Sequence, residues 1–236
     1  MIKSVLPLSL IIALRFFGLF LVLPVISVYA LSLEGATASL VGVVIGGYAL
    51  TQMIFQIPFG IMSDKFSRKG SIIFGLIIFA IGSIICALST DIYGLIFGRL
   101  LQGAGSIGAV VTAMISDLVK EEQRPKAMAL MGSSIAFAFA FSMIAGPTVG
   151  AAFGVQSLFY ITLVLALVSI FVLITKVPNP PHITHTYNKK ADLKEILLEP
   201  NLIKMNLTNF LQKGLMTFAF MIIPITLIKH FDWQMS

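Results

Sequence analysis

The chain has 236 residues, of which 58% are hydrophobic and 11% are charged, whereas about 25% of the residues in an ordinary soluble domain are charged. This composition excludes a soluble globular protein and favours one that crosses a membrane several times. The net charge of +6 does not indicate a nucleic-acid-binding protein, because the basic residues stand in short clusters between long apolar runs. Because each spanning helix needs about 20 residues, the chain has room for about seven spans.

Seven apolar runs of suitable length are bounded by charged or turn residues. In chain order they are 5–30, 39–62, 71–89, 92–116, 126–150, 155–176 and 202–228. The one long polar connection, 177–200, is rich in proline and lysine. We therefore predict an all-α membrane protein in three parts: a six-helix bundle over 1–176, a linker over 177–200, and over 201–236 the first helix of a second bundle that is incomplete.

The charges of the connections predict how the spans are oriented. The connections 31–38, 90–91 and 151–154 contain no Lys or Arg, whereas the other connections hold most of the basic residues. Short basic loops stay in the cytoplasm. We therefore expect the amino terminus, the loops after the second and fourth spans, and the linker to be cytoplasmic.

An enzyme or a metal protein is not indicated. The single cysteine, Cys86, lies in an apolar run and supports neither a disulfide framework nor a cysteine-rich metal site. His182 and His185 have no third ligand nearby. The sequence also contains no nucleophile elbow and no phosphate-binding loop. We expect no metal, no organic cofactor and no catalytic residue.

Three charged residues lie deep inside the runs, namely Arg15, Arg99 and Lys213. A charge at the bilayer centre costs at least about 2.5–3.5 kcal/mol, so each needs a partner or a function. Arg15 and Arg99 favour a polar site or a proton path inside the bundle, the alternative being a structural bond to a backbone group. For Lys213 neither interpretation is favoured. No Asp or Glu lies deep in a run, so a carboxylate proton carrier is not visible.

Polar side chains share a face in two of the spans. Tyr48, Gln52 and Gln56 follow one another at intervals of one helical turn, and Arg99 and Gln102 are three residues apart. Such stripes line cavities or form hydrogen bonds between helices, and the spacing leaves both possibilities open.

Small residues predict close packing of the fourth and fifth spans. Gly94, Gly98, Gly105, Ala109 and Ala113 recur at helical spacing in the fourth span, which lets a neighbouring backbone approach closely. In the fifth span, Gly146, Pro147 and Gly150 predict a kinked or closely packed helix.

The connection 60–70 carries a dense group of charges. Asp64 ends the second span and Arg68 begins the third, while Asp117 lies at the same depth at the end of the fourth. A charge run at a membrane face is commonly an orientation anchor. Opposite charges at helix ends also pair, so this cluster could latch one conformation and release it in another.

These motifs resemble the signature of the major facilitator superfamily. Residues 60–70 are similar to its loop motif, with Ser67 at a position where the family has Gly, which would be strained if that position needs a left-handed backbone. The segment 98–105 is similar to its fourth-helix arginine motif, and 146–151 to its antiporter motif, although Ser142 and Ala151 replace Gly. The matching residues are Gly60, Asp64, Lys65, Arg68, Lys69, Gly98, Arg99, Gly103, Gly105, Gly146, Pro147 and Gly150.

The resemblance implies a transporter of twelve spans in two six-helix bundles, each built from 3+3 inverted repeats and rocking about a midplane site. This chain would hold the first bundle, the linker and one helix of the second bundle, and its missing carboxyl-terminal half would be its partner. The resemblance is strongest to bacterial drug/proton antiporters of the inner membrane. It implies export of a small lipophilic substrate in exchange for protons, driven by the proton gradient without a cofactor.

The same resemblance implies roles for individual residues. Proton coupling and the conformational switch would fall to Arg99 and to the cluster at the membrane face: Asp64, Lys65, Arg68, Lys69 and Asp117. An adaptable, methionine- and aromatic-rich cavity suits a lipophilic substrate, and its candidates are Arg15, Tyr48, Gln52, Gln56, Gln102, Phe137, Phe141 and Met143. The alternative for the apolar members is contact with lipid or with other helices.

Two other functions fit parts of the sequence. An uptake symporter for a sugar or metabolite would use the same fold, but the Gly146-Pro147 motif and the absence of carboxylates within the spans favour antiport. A seven-helix photoreceptor would use Lys213 for a Schiff base. Against it, the basic loops place the amino terminus in the cytoplasm, and the third span has no acid to serve as counter-ion.

Overall fold

The computed structural model describes residues 2–178 and 198–231, and these residues form eight α-helices. A short 3-10 turn at Glu121–Gln123 precedes the sixth helix. The one β feature of the described residues is an isolated bridge between Glu34 and Asp91. The helices are α1 (Ile2–Leu31), α2 (Ala38–Lys65), α3 (Arg68–Leu88), α4 (Ile92–Ala104), α5 (Gly108–Leu118), α6 (Arg124–Phe153), α7 (Val155–Lys176) and α8 (Pro200–Phe231).

Six segments of the described chain are long and apolar enough to cross a membrane. They coincide with the first six predicted spans and run over Val5–Leu31, Ala38–Lys65, Arg68–Leu88, Ile92–Leu118, Glu121–Phe153 and Val155–Lys176. The predicted seventh span, 202–228, lies within the 32-residue helix α8. The all-helical membrane architecture predicted from the apolar runs is therefore confirmed.

The fourth span differs from its prediction as one continuous helix. It consists of α4 and α5, which are separated by Gly105, Ser106 and Ile107. Gly105 ends α4 with φ −71° and ψ 52°, and the Ser106 amide donates to the Ala104 carbonyl at 2.8 Å instead of continuing the helical pattern. Gly and Ser are weaker helix formers than Ala, so this segment breaks where the surrounding helices supply other contacts.

The spans pack as two related sets of three. One set is α1, α2 and α3, and the other is the fourth span, α6 and α7. The first helix of each set packs against the second and third helices of the other set: α1 contacts α6 and α7, and the fourth span contacts α2 and α3. The third helices of the two sets, α3 and α7, contact each other. This exchange of partners is the pattern expected of 3+3 inverted repeats. Helix α8 packs on α1 and α2.

The bundle has an apolar layer at each end and a polar layer between them. We call the end that holds Asp64, Arg68 and Asp117 the charged end. Its apolar cluster includes Leu8, Ile72, Leu76, Val111 and Met114, and the cluster at the opposite end includes Val22, Ile26, Val44, Ile92 and Phe159. The layer between them contains two buried arginines, Arg15 and Arg99.

Glycines bring backbones into contact around the polar layer. A Cβ on Gly98 would lie 2.9 Å from the Cys86 nitrogen of α3, and a Cβ on Gly105 would collide with the Gly75 carbonyl oxygen. A Cβ on Gly103 would collide with the Tyr48 carbonyl oxygen of α2. Because these approaches fix α4 against α2 and α3, larger residues at these positions would force the helices apart.

Helix α6 continues through the Gly146-Pro147 pair, so this motif produces close packing rather than a break. A Cβ on Gly146 would collide with the Leu21 carbonyl oxygen of α1. A Cβ on Gly132, in the same helix, would meet nothing within 4 Å. The two glycines therefore differ in whether the fold requires them.

We expect Gly146→Ala to destabilise the purified protein by about 1–3 kcal/mol, because α1 and α6 must separate to admit the methyl group. Gly132→Ala is the matched control, and we expect it to be neutral or stabilising by up to about 1 kcal/mol because Ala favours a helix. Thermal unfolding of both variants measures the difference. Equal stability of the two variants would contradict the close contact.

Candidate functional site

Arg99 lies in the polar layer of the bundle and is 1% exposed. Its Nη1 donates to the Gln102 Oε1 at 2.8 Å, and its Nε lies 3.5 Å from the Val44 carbonyl oxygen of α2. Its Cζ also lies 4.8 Å from the centre of the Tyr48 ring, within the range of a cation–π contact. The predicted proximity of Arg99 and Gln102 on one strip of α4 is thus a direct hydrogen bond.

Gln102 extends this arrangement to α3. It is 1% exposed, and its Nε2 donates to the Ser83 Oγ at 2.8 Å. The Ser83 hydroxyl donates in turn to the Phe79 carbonyl at 2.8 Å. Since Gln102 is enclosed between helices, it joins α4 to α3 rather than lining an open surface of this bundle.

Arg15 reaches the same layer from α1 and is also 1% exposed. Its Nη2 donates to the Tyr48 hydroxyl and to the Gly105 carbonyl oxygen, each at 3.1 Å. Its Cζ lies 5.2 Å from the centre of the Phe79 ring and 5.7 Å from that of Phe16. Its Nε and Nη1 have no hydrogen-bond partner among the described residues.

We call Arg15, Tyr48, Ser83, Arg99 and Gln102 the buried network. Both ion pairs of the described residues involve Arg68 at the charged end, so neither buried arginine has a carboxylate partner there. A hydrogen bond to a charged group contributes about 1.5–3 kcal/mol, and a cation–π contact up to about 2 kcal/mol. These contacts are comparable with the insertion cost of about 2.5–3.5 kcal/mol for one arginine.

The charge cluster at the membrane face centres on Arg68. Its Nη1 forms an ion pair with Asp64, four residues earlier, and donates to the Ser63 Oγ at 2.7 Å. Its Nε lies 3.0 Å from the Asp117 Oδ2. The side chains of Arg68 and Asp117 are 15% and 14% exposed, whereas that of Asp64 is 64% exposed. Arg68 therefore ties the start of α3 to the ends of α2 and α5.

The two lysines of the loop motif lie beside this cluster. Lys65 is exposed and Lys69 is half-buried. Gly60 lies in α2, where an added Cβ would meet nothing within 4 Å. The geometry thus assigns the helix-to-helix connection to Arg68 rather than to the lysines.

Ser67 does not adopt the left-handed backbone that would require glycine. Its φ is −163° and its ψ is 130°, which is extended backbone, and its Oγ accepts from the Gly70 amide at 3.2 Å. Ser is among the preferred residues at a helix N-cap. The departure from the family pattern therefore leaves the turn unstrained and caps α3.

The other cavity candidates lie in different surroundings. Tyr48 is buried, and Gln52 and Gln56 are half-buried. The Gln56 Oε1 accepts from the Ser106 hydroxyl at 3.0 Å. On α6, Phe137 and Phe141 are 67% and 66% exposed and Met143 is half-buried. The structure therefore brings Tyr48 and Gln102 together with the arginines and leaves Phe137 and Phe141 on the surface of the bundle.

Three serines that were not among the predicted site residues take part in these contacts. They are Ser63, Ser83 and Ser106. Ser63 precedes Asp64 directly, which could have drawn attention to it. Ser83 has no local signal, because its partner is 19 residues away in the chain.

The remaining polar candidates do not join these groups. Lys213 is exposed on α8, and His182, His185 and nearly all of the predicted linker lie outside the described residues. Within the residues that are described, no group of three or more His, Cys, Asp or Glu could hold a metal ion.

The chain resembles known transport proteins over nearly its whole length. The family model described as Major Facilitator Superfamily matches residues 8–236. Inner membrane transport protein YajR of Escherichia coli (strain K12) is 45% identical over 204 residues, which cover 84% of this chain and 44% of that protein. Multidrug resistance protein 2 of Bacillus subtilis (strain 168) is 32% identical over 167 residues, covering 67% of this chain and 40% of that protein.

A solved structure supports the fold. The crystal structure of a bacterial homolog to the human lysosomal transporter Spinster, in an inward-facing and unoccupied conformation, matches with a TM-score of 0.73 at 16% identity. The match covers 98% of this chain and 56% of that chain. The chain spans about half the length of the curated relatives it matches.

The two acidic partners of Arg68 should differ in their effect on stability. We expect Asp117→Asn to destabilise the protein by about 1–3 kcal/mol, because it removes the one acidic partner of Arg68 that is mostly shielded from water. Asp64→Asn should cost less than about 1 kcal/mol, because most of that carboxylate is exposed and water screens the pair. Thermal unfolding of the two matched variants provides the comparison. A larger cost for Asp64→Asn would mean that Asp64, and not Asp117, holds the cluster together.

Proposed function

The chain belongs to the major facilitator superfamily, and from this membership we propose that the protein exports small lipophilic compounds in exchange for protons. Family membership makes it part of a transport protein rather than an enzyme. In this proposal, residues 1–176 form the first bundle, 177–200 the cytoplasmic linker, and 201–236 the first helix of a second bundle. The missing carboxyl-terminal half of the transporter would complete that bundle, and the two bundles would give the substrate its pathway by alternating access.

The observation that carries the proposal is that Arg99 is buried with neutral partners, Gln102 and the Tyr48 ring, among the described residues. Its positive charge is therefore not cancelled nearby. In a medium of low polarity, a second positive charge close to it is strongly disfavoured. In this proposal the central cavity holds at most one further positive charge, so a proton and a cationic substrate exclude each other, as antiport requires.

The Arg68 cluster supplies the conformational switch in this proposal. Arg68 holds the beginning of α3 to Asp117 at the end of α5 through a mostly buried ion pair. An exposed ion pair contributes little, but one shielded from water changes a conformational equilibrium measurably. We propose that this pair closes the charged end in one state and separates in the other, with Lys65 and Lys69 anchoring that end at the cytoplasmic face.

A lipophilic substrate class fits the surface of the bundle. Phe137 and Phe141 present aromatic rings on α6 next to the half-buried Met143, and such side chains adapt to ligands of different shape. One relative carries the name multidrug resistance protein. We propose that these residues, with Gln52 and Gln56 on α2, form the first bundle's wall of the cavity.

We propose that the protein resides in a bacterial inner membrane with its amino terminus in the cytoplasm. The name of the Escherichia coli relative supports the compartment. The concentration of basic residues in the connections at the charged end supports the orientation.

The test is efflux of a lipophilic cationic dye from cells that express the full-length protein under an imposed proton gradient. We expect gradient-driven efflux by the wild type. We expect at least a tenfold loss for Arg99→Ala, because the uncompensated charge is removed, and for Asp117→Asn, because the switch is weakened, as single buried polar contacts are worth about that much. Rates are compared at equal protein levels in the membrane.

Ser133→Ala, an exposed substitution on α6, serves as the control and should leave efflux unchanged. Efflux that is insensitive to the proton gradient, or that survives Arg99→Ala at the wild-type rate, would overturn the proposal.

A further inference from the structure

The break in the fourth span separates two groups of functional candidates. Arg99 and Gln102 lie on α4, and Asp117 lies near the end of α5. The segment 105–107 between them is not helical. Since a membrane supplies no water to backbone groups released from a helix, they need partners inside the protein.

Side chains from two other helices bind this break. The Arg15 Nη2 donates to the Gly105 carbonyl oxygen at 3.1 Å, and the Ser106 hydroxyl donates to the Gln56 Oε1 at 3.0 Å. Arg15 belongs to α1 and Gln56 to α2. The break is therefore held from both sides, at adjacent residues.

Arg15 lies where the end of α4 stabilises a positive charge. The carboxyl end of a helix carries a partial negative charge, and Gly105 is the residue that ends α4. Arg15 also donates to the Tyr48 hydroxyl from the same nitrogen and lies against the Phe79 and Phe16 rings. These contacts fix the guanidinium in place without a carboxylate among the described residues.

We infer that Arg15 is a positioning residue that sets the angle between α4 and α5 and thereby the place of Asp117 relative to Arg68. Asp117 is nine residues beyond Gly108, where α5 begins after the break, a distance of about 14 Å along the helix. A small change of the angle between α4 and α5 therefore displaces the Asp117 carboxylate several times farther than it displaces Gly105. This inference rests on the proposed function only in that the Arg68–Asp117 pair is taken to be the switch.

The inference makes a prediction that a simple packing role does not. Substitutions more than about 7–10 Å apart normally act independently on an equilibrium. If Arg15 acts through the break, its removal already displaces Asp117, and a second substitution at Asp117 adds little. If Arg15 only stabilises the bundle, the two effects multiply.

The experiment measures thiol labelling at the charged end in the full-length protein. A cysteine is placed at Ser116, next to Asp117 in α5, in a background without other reactive cysteines. Labelling rates by a water-soluble maleimide are measured in membrane vesicles for the parent, Arg15→Met, Asp117→Asn and the double variant. No substrate is needed, so the result does not depend on whether the protein exports drugs.

We expect Arg15→Met and Asp117→Asn each to raise the labelling rate about tenfold, as the loss of one hydrogen bond to a charged group would. The double variant should label no faster than the faster single variant, whereas independent effects would give about a hundredfold increase. Asp91→Asn is the matched control, because Asp91 caps the other end of the same span. In the Arg15→Met/Asp91→Asn double variant, the change in labelling rate should equal the product of the two single-variant changes, because the two substitutions act independently.

Arg15→Lys guards against a folding failure of Arg15→Met. A lysine keeps the charge but lacks the planar fork of donors, so it should raise the labelling rate less than Arg15→Met does. The inference is overturned if the Arg15 and Asp117 effects multiply, or if neither Arg15 variant changes the labelling rate. If the wild type shows no gradient-driven dye efflux but the labelling results are as expected, the proposed function is wrong and this inference stands.

Discussion

A guanidinium in the middle of a bilayer must obtain all of its stabilising contacts from the protein, since neither water nor lipid head groups reach it. Arg15 and Arg99 do so with neutral groups: backbone carbonyls, the Gln102 amide and aromatic rings. Neutral partners stabilise a charge only when they stand close and in fixed positions. The close packing of the bundle follows from this requirement, because Gly98, Gly103 and Gly105 let the backbones approach around the arginines.

The same requirement explains why a broken helix is tolerated. Arg15 binds the Gly105 carbonyl that the break between α4 and α5 releases, which is the condition for irregular backbone at membrane depth, and Gln56 binds the neighbouring Ser106 hydroxyl. The Arg15–Gly105 hydrogen bond thus stabilises both the buried guanidinium and the carbonyl that the break leaves free. The fourth span then connects the buried network in the middle of the bundle to Asp117 at the charged end, through a joint whose geometry depends on side chains from other helices.

Much of this arrangement was predictable from local sequence. The six spans followed from run length and hydropathy, and the Asp64–Arg68 contact from their spacing across the turn. The break at Gly105 was not predicted, because isolated glycine and serine are common in membrane helices that remain continuous. The partners of Arg15 were also unpredictable, since Tyr48 and Gly105 are 33 and 90 residues away in the chain. The fold alone brings them together.

The most direct test of the account is the distance between spin labels at Tyr93 and Lys120, which are exposed near the two ends of the fourth span. The distance is measured by pulsed electron paramagnetic resonance in the full-length protein in lipid bilayers, with and without Arg15→Met. If Arg15 holds the joint, the substitution should shift or broaden the distance distribution, because α5 gains freedom relative to α4. An unchanged, narrow distribution would contradict the central claim that this buried arginine controls the shape of the span.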